Sequence, residues 1–359
     1  MSRIITDDSI QLKNFMTRKM ELYNKNSLKK LYNHLNRIVL NDVKILSFKD
    51  DNIDRELYSL NENDVYMSDK IRNYINKHLN KVSIYNLMIN KLNITIKVYY
   101  KNEDISYFVN MLIYYIRFIS SLTKISLNNL EINYYLTNYK KLLNEKIILT
   151  KDQVNSGSCL IKGSQSAYIN IWRKEEILKV TIHELIHAFD FSRYSDTHQL
   201  SNHYKNRYNI NVTSTLSNEA YTEIWANILN CYLISQIINK NPRDSFIEMV
   251  SLERSYSIYL AQKLLYRMKG KHNIDINKNT HVLEYYIIRA EIYEEFDKFI
   301  IFCKNENKDY IKIIDDNKII TSLLDNNKLK QNNKKFNNIK KKEFYYKTIR
   351  LSINELQVF

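Results

Sequence analysis

The sequence predicts an α+β protein, mostly helical, with a small mixed sheet near its middle. Three observations carry that expectation. Apolar residues recur at helical spacing before residue 90 and after residue 174. Between these stretches lie short runs in which β-branched and aromatic residues alternate. One helix, around residue 183, is apolar on nearly every flank yet carries two histidines and a glutamate.

From the N-terminus, residues 1–90 read as a polar helical region. Leu28, Leu31, Leu35 and Ile38, then Ile71, Ile75 and Leu79, keep the three-to-four spacing of a helix face. The pattern changes at residue 91, where a core of 91–240 begins. Asn93–Tyr100 reads as a strand, about Asp104 to Leu122 as a helix, and Leu130–Thr137 as another strand. Asn155–Ile161 and Ser166–Trp172 are short extended runs, joined through Lys162, Gly163, Ser164 and Gln165 as a hairpin turn. A helix from about Lys174 to Phe191 follows, with Glu175 and Glu176 expected in its first turn. Ser192–Thr215 is polar and reads as irregular. A strong helix from about Ser217 to Asn239 closes the core, with Asn218 as its expected cap. Helical spacing returns near 245–268 and 281–304, defining a helical subdomain over 241–310. Residues 311–359 read as a basic tail, Lys/Asn-rich and low in complexity over 326–342.

Bulk properties narrow the function classes. The chain has 359 residues and needs no disulfide staple to bury a core. Only 3 Gly and 1 Pro occur, so Asn, Asp and Ser must make most turns. The net charge of +15 would suit a polyanion, but the lysines are scattered rather than gathered into a nucleic-acid-binding module. The abundance of Lys, Asn, Ile and Tyr has the character of an AT-rich coding sequence. Cys159, Cys231 and Cys303 form no CxxC pair, and their odd number argues for reduced thiols in an intracellular, soluble protein. The N-terminus has no signal-peptide pattern. The most apolar stretch, 108–122, is too short to span a bilayer and contains Arg117.

The chemistry sits in His183-Glu184-Leu185-Ile186-His187. On a helix, residues four apart share a face, so both imidazoles can aim a nitrogen at one ion. Neutral imidazole suits zinc, and two such ligands leave positions open. Glu184 then stands beside the metal, where it can take a proton from bound water. Val180, Ile182, Leu185, Ile186, Ala188 and Phe189 mark the helix as packed in a core, where ionisable groups are costly without partners. A third ligand is needed. Glu219 and Glu223, one turn apart on the next strong helix, both qualify by spacing.

HExxH followed by Asn218-Glu219-Ala220-Tyr221-Thr222-Glu223 resembles the gluzincin zinc peptidases, the thermolysin- and neprilysin-like group. His187-Ala-Phe-Asp190 is similar to the neprilysin-type His-Gly-Phe-Asp. The resemblance covers about residues 92–240. It implies a zincin-like core, Zn2+ held by His183, His187 and Glu219, Glu184 as general base, and Glu223 as the acid that orients a ligating histidine. It also implies that the hairpin before the motif helix binds an extended protein or peptide substrate by strand addition. The stretch 188–218 is longer than the spacing in many gluzincins, and Gly-rich turns are missing. Arg193 stands where a metzincin has its third histidine.

A donor is also needed for charge developing on the attacked carbonyl. His198, His203, Tyr221 and Tyr286 are candidates. His281 and Tyr285 are preferred, because they lie four apart on one later helix. A zinc-dependent metallopeptidase is therefore the expected activity. The alternative is a zincin-fold protein that acts on a non-peptide bond or binds a protein partner without catalysis.

Overall fold

The computed structural model of the chain describes residues 4–53, 64–144, 149–163, 165–196, 198–238, 241–269, 275–278, 280–330 and 343–359. Helices α1 (Asp7–Thr17) and α2 (Asn26–Leu35) come first. Strand β1 (Val43–Asn52), helix α3 (Asp69–His78) and strands β2 (Lys81–Ile89) and β3 (Leu92–Tyr100) follow. Helix α4 (Ser106–Ser121) leads to β4 (Asn129–Tyr135), a short α5 (Lys151–Val154), and the hairpin of β5 (Gly157–Lys162) and β6 (Ser166–Ile171). Helices α6 (Ile177–Ala188), α7 (His198–Tyr208), α8 (Ser217–Ile238) and α9 (Pro242–Met268) come next. A π-helical turn, Leu283–Ile288, runs into α10 (Arg289–Glu294), and α11 (Phe296–Glu306), α12 (Asp316–Leu324) and α13 (Phe344–Lys347) complete the order. The class is α+β and mostly helical, with one mixed sheet.

Two units divide the chain. One comprises Ile38–Lys140, Asn155–Phe191 and Val358–Phe359. It contains the six-stranded sheet, ordered β1-β2-β3-β4-β6-β5. The β3–β4 and β4–β6 pairs are parallel, and the β1–β2, β2–β3 and β5–β6 pairs antiparallel. Register aligns buried residues in rows: Ile94 beside Leu130 and Ala167, Ile96 beside Ile132 and Ile169, Val98 beside Tyr134 and Ile171. Alternation at period two puts all nine on one face. Helices α4 and α6 cover that face, through a Phe108–Tyr134 edge contact at 5.3 Å and a Tyr134–Thr181 hydroxyl bond at 2.9 Å. The opposite face carries Val82, stacked Tyr99 and Tyr135, and Trp172, which pack with Ile71 and Ile75 of α3.

The other unit comprises Met1–Arg37, Lys141–Val154 and Ser192–Gln357. Its core is built on α9, with Leu252, Tyr256, Leu260 and Leu264 packed with Leu12, Met16 and Ile349, Leu351 and Ile353. The C-terminal segment lies inside this core. The Lys263 amine donates to the carbonyls of Tyr345 (3.3 Å), Tyr346 (3.1 Å) and Thr348 (2.6 Å). Glu253 accepts from the Ser352 hydroxyl and from the Ile353 and Asn354 amides.

Several local expectations change. The region before residue 90 is not all helix: β1 and β2 lie in it. Nine of the ten β1 residues are exposed, so the strand has no buried period to read. Ser192–Thr215 contains α7, whose buried Leu200, Tyr204 and Tyr208 are four apart within a polar sequence. Glu175 and Glu176 precede α6 rather than opening it, and Glu176 is its N-cap residue in the left-handed region, φ 61°. Asn218 lies inside α8, not at its cap. Residues 311–359 include α12, and 348–354 are buried rather than a tail; of the low-complexity stretch, 331–342 lies outside the described residues. Asn and Asp do make turns: Asn90, Asp190, Asn209 and Asp309 all have positive φ. The three cysteines are free. Among the described residues, no helix is long and apolar enough to cross a membrane.

Lys263 is fully buried, and burial pushes its amine down to about 7. Three carbonyl acceptors oppose that shift, since only the ammonium has three protons to give. Replacing Lys263 with Met would leave those carbonyls buried without this donor. Lys263→Met is expected to destabilise the protein by about 2–4 kcal/mol, read as a lower urea midpoint. An unchanged midpoint would show that the C-terminal segment is held by its apolar contacts alone.

Candidate functional site

Helix α6 is buried at every residue except His187, which is half-buried. Its start is set by Glu176, whose carbonyl accepts from Val180 N at 2.8 Å. Its end is a Schellman motif. Phe191 N–H bonds the Ile186 carbonyl (3.1 Å), Asp190 N–H bonds the His187 carbonyl (3.0 Å), and Asp190 takes the left-handed conformation, φ 58°. Asp190 does here what glycine usually does, in a chain with three glycines. The motif fixes the last turn and with it His187.

His183 and His187 face each other, Nε2 to Nε2 at 3.2 Å, with rings inclined at 67°. Two imidazole nitrogens about 2.0–2.1 Å from a tetrahedral ion would stand about 3.3 Å apart. The spacing therefore fits a shared ion; without one, it fits an N–H···N bond between neutral rings. Glu184 is buried between them in sequence and packs towards β5. A Cβ built on Gly157 would lie 2.6 Å from Glu184 Oε1.

In the other unit, Glu219 lies in the first turn of α8, half-buried. The helix start is pinned from two sides. Asp196 accepts from Ser217 N (2.6 Å) and from the Ser217 hydroxyl (2.5 Å). Glu284 accepts from Leu216 N at 2.9 Å and from the Asn277 amide at 2.9 Å on both oxygens. The next residue, Tyr285, donates its hydroxyl to Glu219 Oε2 at 2.9 Å. Both contacts come from the π-helical turn, where an extra residue per turn brings adjacent side chains to α8. His281 packs edge-on against Tyr285, ring centroids 5.8 Å apart.

Glu223, one turn along α8, is held by Arg289, Nη1 to Oε1 at 3.1 Å, and by Asn227 at 3.3 Å. Both members of the ion pair are buried. Arg289 also donates to the Leu351 carbonyl and the Ser257 hydroxyl. Removing one partner of such a pair costs about 3–5 kcal/mol, whereas the intact pair contributes little net stability. Its value is to fix the Glu223 carboxylate in place.

The remaining candidates have other surroundings. Tyr221 is buried and donates to the Ile311 carbonyl at 2.7 Å, and Tyr286 donates to the Ile349 carbonyl at 2.8 Å. Both make packing contacts typical of buried tyrosines. His198 opens α7 on an exposed face. His203 lies one turn later, where burial lowers its imidazole below the ordinary value. Sequence reasoning missed Gly157, Asp196, Asn277, Glu284 and Arg289. Of these, only Gly157 had a signal, as one of three glycines in the chain. Compared with known protein families, curated proteins and solved structures, the chain matches none.

Burial pushes the Glu284 carboxyl up to about 7, against an ordinary value of 4.5. Between those values the folded state holds a proton that the unfolded chain has released. The group's stabilising contribution is thus complete below pH 4.5 and is lost as pH rises through about 7. Glu284→Gln removes this titration. The fall in urea midpoint from pH 5 to pH 8 is expected to be shallower in the variant than in the parent protein. Equal slopes would mean that Glu284 ionises alike in both states.

Proposed function

We propose that the protein is a zinc-dependent metallohydrolase, a peptidase of the gluzincin type, with the metal on His183, His187 and Glu219. The observation that carries this reading is the convergence of the two Nε2 atoms at 3.2 Å on a buried helix, with Glu184 between them in sequence. Support for the third ligand comes from Glu219 itself, a half-buried carboxylate in the first turn of α8 whose Oε2 is fixed by the Tyr285 hydroxyl at 2.9 Å. Two imidazoles and one carboxylate make the donor set of a catalytic zinc site with an open position. Bound there, zinc would lower the pKa of a water molecule towards neutrality and polarise a carbonyl.

The chain's own groups take the remaining roles. Glu184 accepts the proton of the attacking water and passes it to the leaving amine. Glu223, fixed by Arg289, is the acid assigned to orient a ligating imidazole. Tyr285 bonds Glu219 through its hydroxyl, and with His281 it forms the donor pair assigned to the developing oxyanion. A polypeptide substrate is supported by β5, which sits at one end of the sheet order, with Leu160 and Ile161 exposed. An edge strand offers unpaired backbone groups to an extended chain, and its alternating side chains give selectivity. The zincin-like core belongs to the same proposal.

The purified full-length protein is expected to hold one zinc per chain, measured by elemental analysis. His183→Ala and His187→Ala should each lose it; full zinc in both variants contradicts the ligand set. Glu184→Gln should keep the zinc and the fold but hydrolyse a quenched fluorescent peptide library at least about 100-fold more slowly. Undiminished hydrolysis would remove Glu184 as base. In competition with a chelator, Glu219→Ala should surrender zinc more readily than Glu223→Ala, since loss of an outer partner typically costs about 10–100-fold. The reverse order would exchange the two roles.

A further inference from the structure

The chain uses glycine three times in 359 residues. Gly163 has φ 63° in the β5–β6 turn, where a left-handed conformation requires it. Gly270 lies outside the described residues. Gly157 has no such conformational need: its φ is outside the left-handed region, and it sits in a regular β5–β6 pair opposite Ile171. Glycine weakens a strand that any other residue could form. Space explains its presence. A Cβ at this position would lie 2.6 Å from Glu184 Oε1, 3.1 Å from Glu184 Cδ and 3.0 Å from Val180 Cγ1. All three distances are shorter than ordinary carbon contacts of about 3.5–4.0 Å.

We infer that Gly157 is a positioning residue whose missing side chain is the seat of the Glu184 carboxylate. This inference rests on the reading of Glu184 as general base for its catalytic consequence, though not for its geometry. Helix α6 cannot withdraw to make room, because Val180, one turn before Glu184, already touches the same spot and the helix is buried along its length. A methyl group at 157 must therefore displace the Glu184 side chain, which is long and rotatable. The carboxylate would leave the first residue of the edge strand, the end at which an extended substrate on β5 would meet the base. Strand and helix would stay in place, so substrate binding along β5 would be retained while proton transfer was lost. The same contact reads the edge strand: the residue that opens β5 is set by the base behind it.

Gly157→Ala tests this in the full-length, zinc-loaded protein, with the quenched peptide library as probe. The expected result is a fall in kcat of at least about tenfold with KM within about twofold. Zinc content should be unchanged, and a crystal structure of the variant should show the Glu184 carboxylate displaced. Glu184→Ala supplies an activity-independent control, because it empties the seat. In that background Gly157→Ala should lower Tm less than it does in the parent protein, since only the Val180 contact remains, and its methyl should occupy the vacated space. The inference is overturned if the variant's carboxylate stays where it is and β5 shifts instead. It is likewise overturned if Gly157→Ala lowers Tm equally in the Glu184 and Glu184→Ala backgrounds. If the parent protein hydrolyses no peptide, the peptidase reading fails, and the carboxylate's position and the Tm comparison still decide the role of Gly157.

Discussion

Burying one imidazole and a carboxylate, with a second imidazole half-buried, in one twelve-residue helix is the constraint to which the surrounding structure answers. A polar group taken from water without a partner costs roughly 2–7 kcal/mol, and a charge costs more. Such a helix forms only if its apolar faces repay that cost and its polar atoms are met. The apolar side is the sheet face, where rows through Ile96, Ile132 and Ile169 lie under α4 and α6. The polar side is arranged with little freedom. A Schellman motif fixes His187, the two Nε2 atoms are held at 3.2 Å, and Gly157 leaves a seat for Glu184.

The start of α8 is treated in the same way within its own unit. Helix N-termini leave backbone N–H groups without intrahelical acceptors. Here two carboxylates, Asp196 and Glu284, accept from Ser217 and Leu216. That fixes the turn bearing Glu219, and Tyr285 then fixes its carboxylate. The π-helical turn allows neighbouring residues 284 and 285 to serve the backbone and the side chain of one helix start. Arg289, beyond the turn, holds Glu223. Three contacts from one short segment thus set both acids of the Asn218–Glu223 stretch.

Much of this was legible in the sequence where period and burial coincide. The central strands, α4, α6, α8 and α9 stand within a few residues of their expected places. The central strands and α4 have a buried face that repeats at 2 or at 3.6, whereas α6, α8 and α9 are buried over most of their residues. Strand β1 was hidden because nine of its ten residues are exposed, and α7 because three buried residues spaced by four are few in a polar segment. The C-terminal core segment was hidden by its neighbour: Ile349, Leu351 and Ile353 alternate in a short stretch that follows the Lys/Asn-rich run of 326–342. At the site, His183, Glu184 and His187 could be singled out because four-residue spacing carries its own geometry. Asp196, Asn277, Glu284 and Arg289 could not, since long-range side-chain contacts leave no local period. Gly157 stood out only by rarity, and its meaning needed the distance to Glu184.

The proposed function rests on this helix holding a zinc ion together with a carboxylate. X-ray absorption at the zinc edge of the purified full-length protein tests it most directly. The account predicts a four- or five-coordinate shell of nitrogen and oxygen at about 2.0–2.2 Å, with outer-shell scattering from two imidazoles and no sulfur. A shell with sulfur at about 2.3 Å, a shell lacking imidazole scattering, or no bound zinc at all would contradict it.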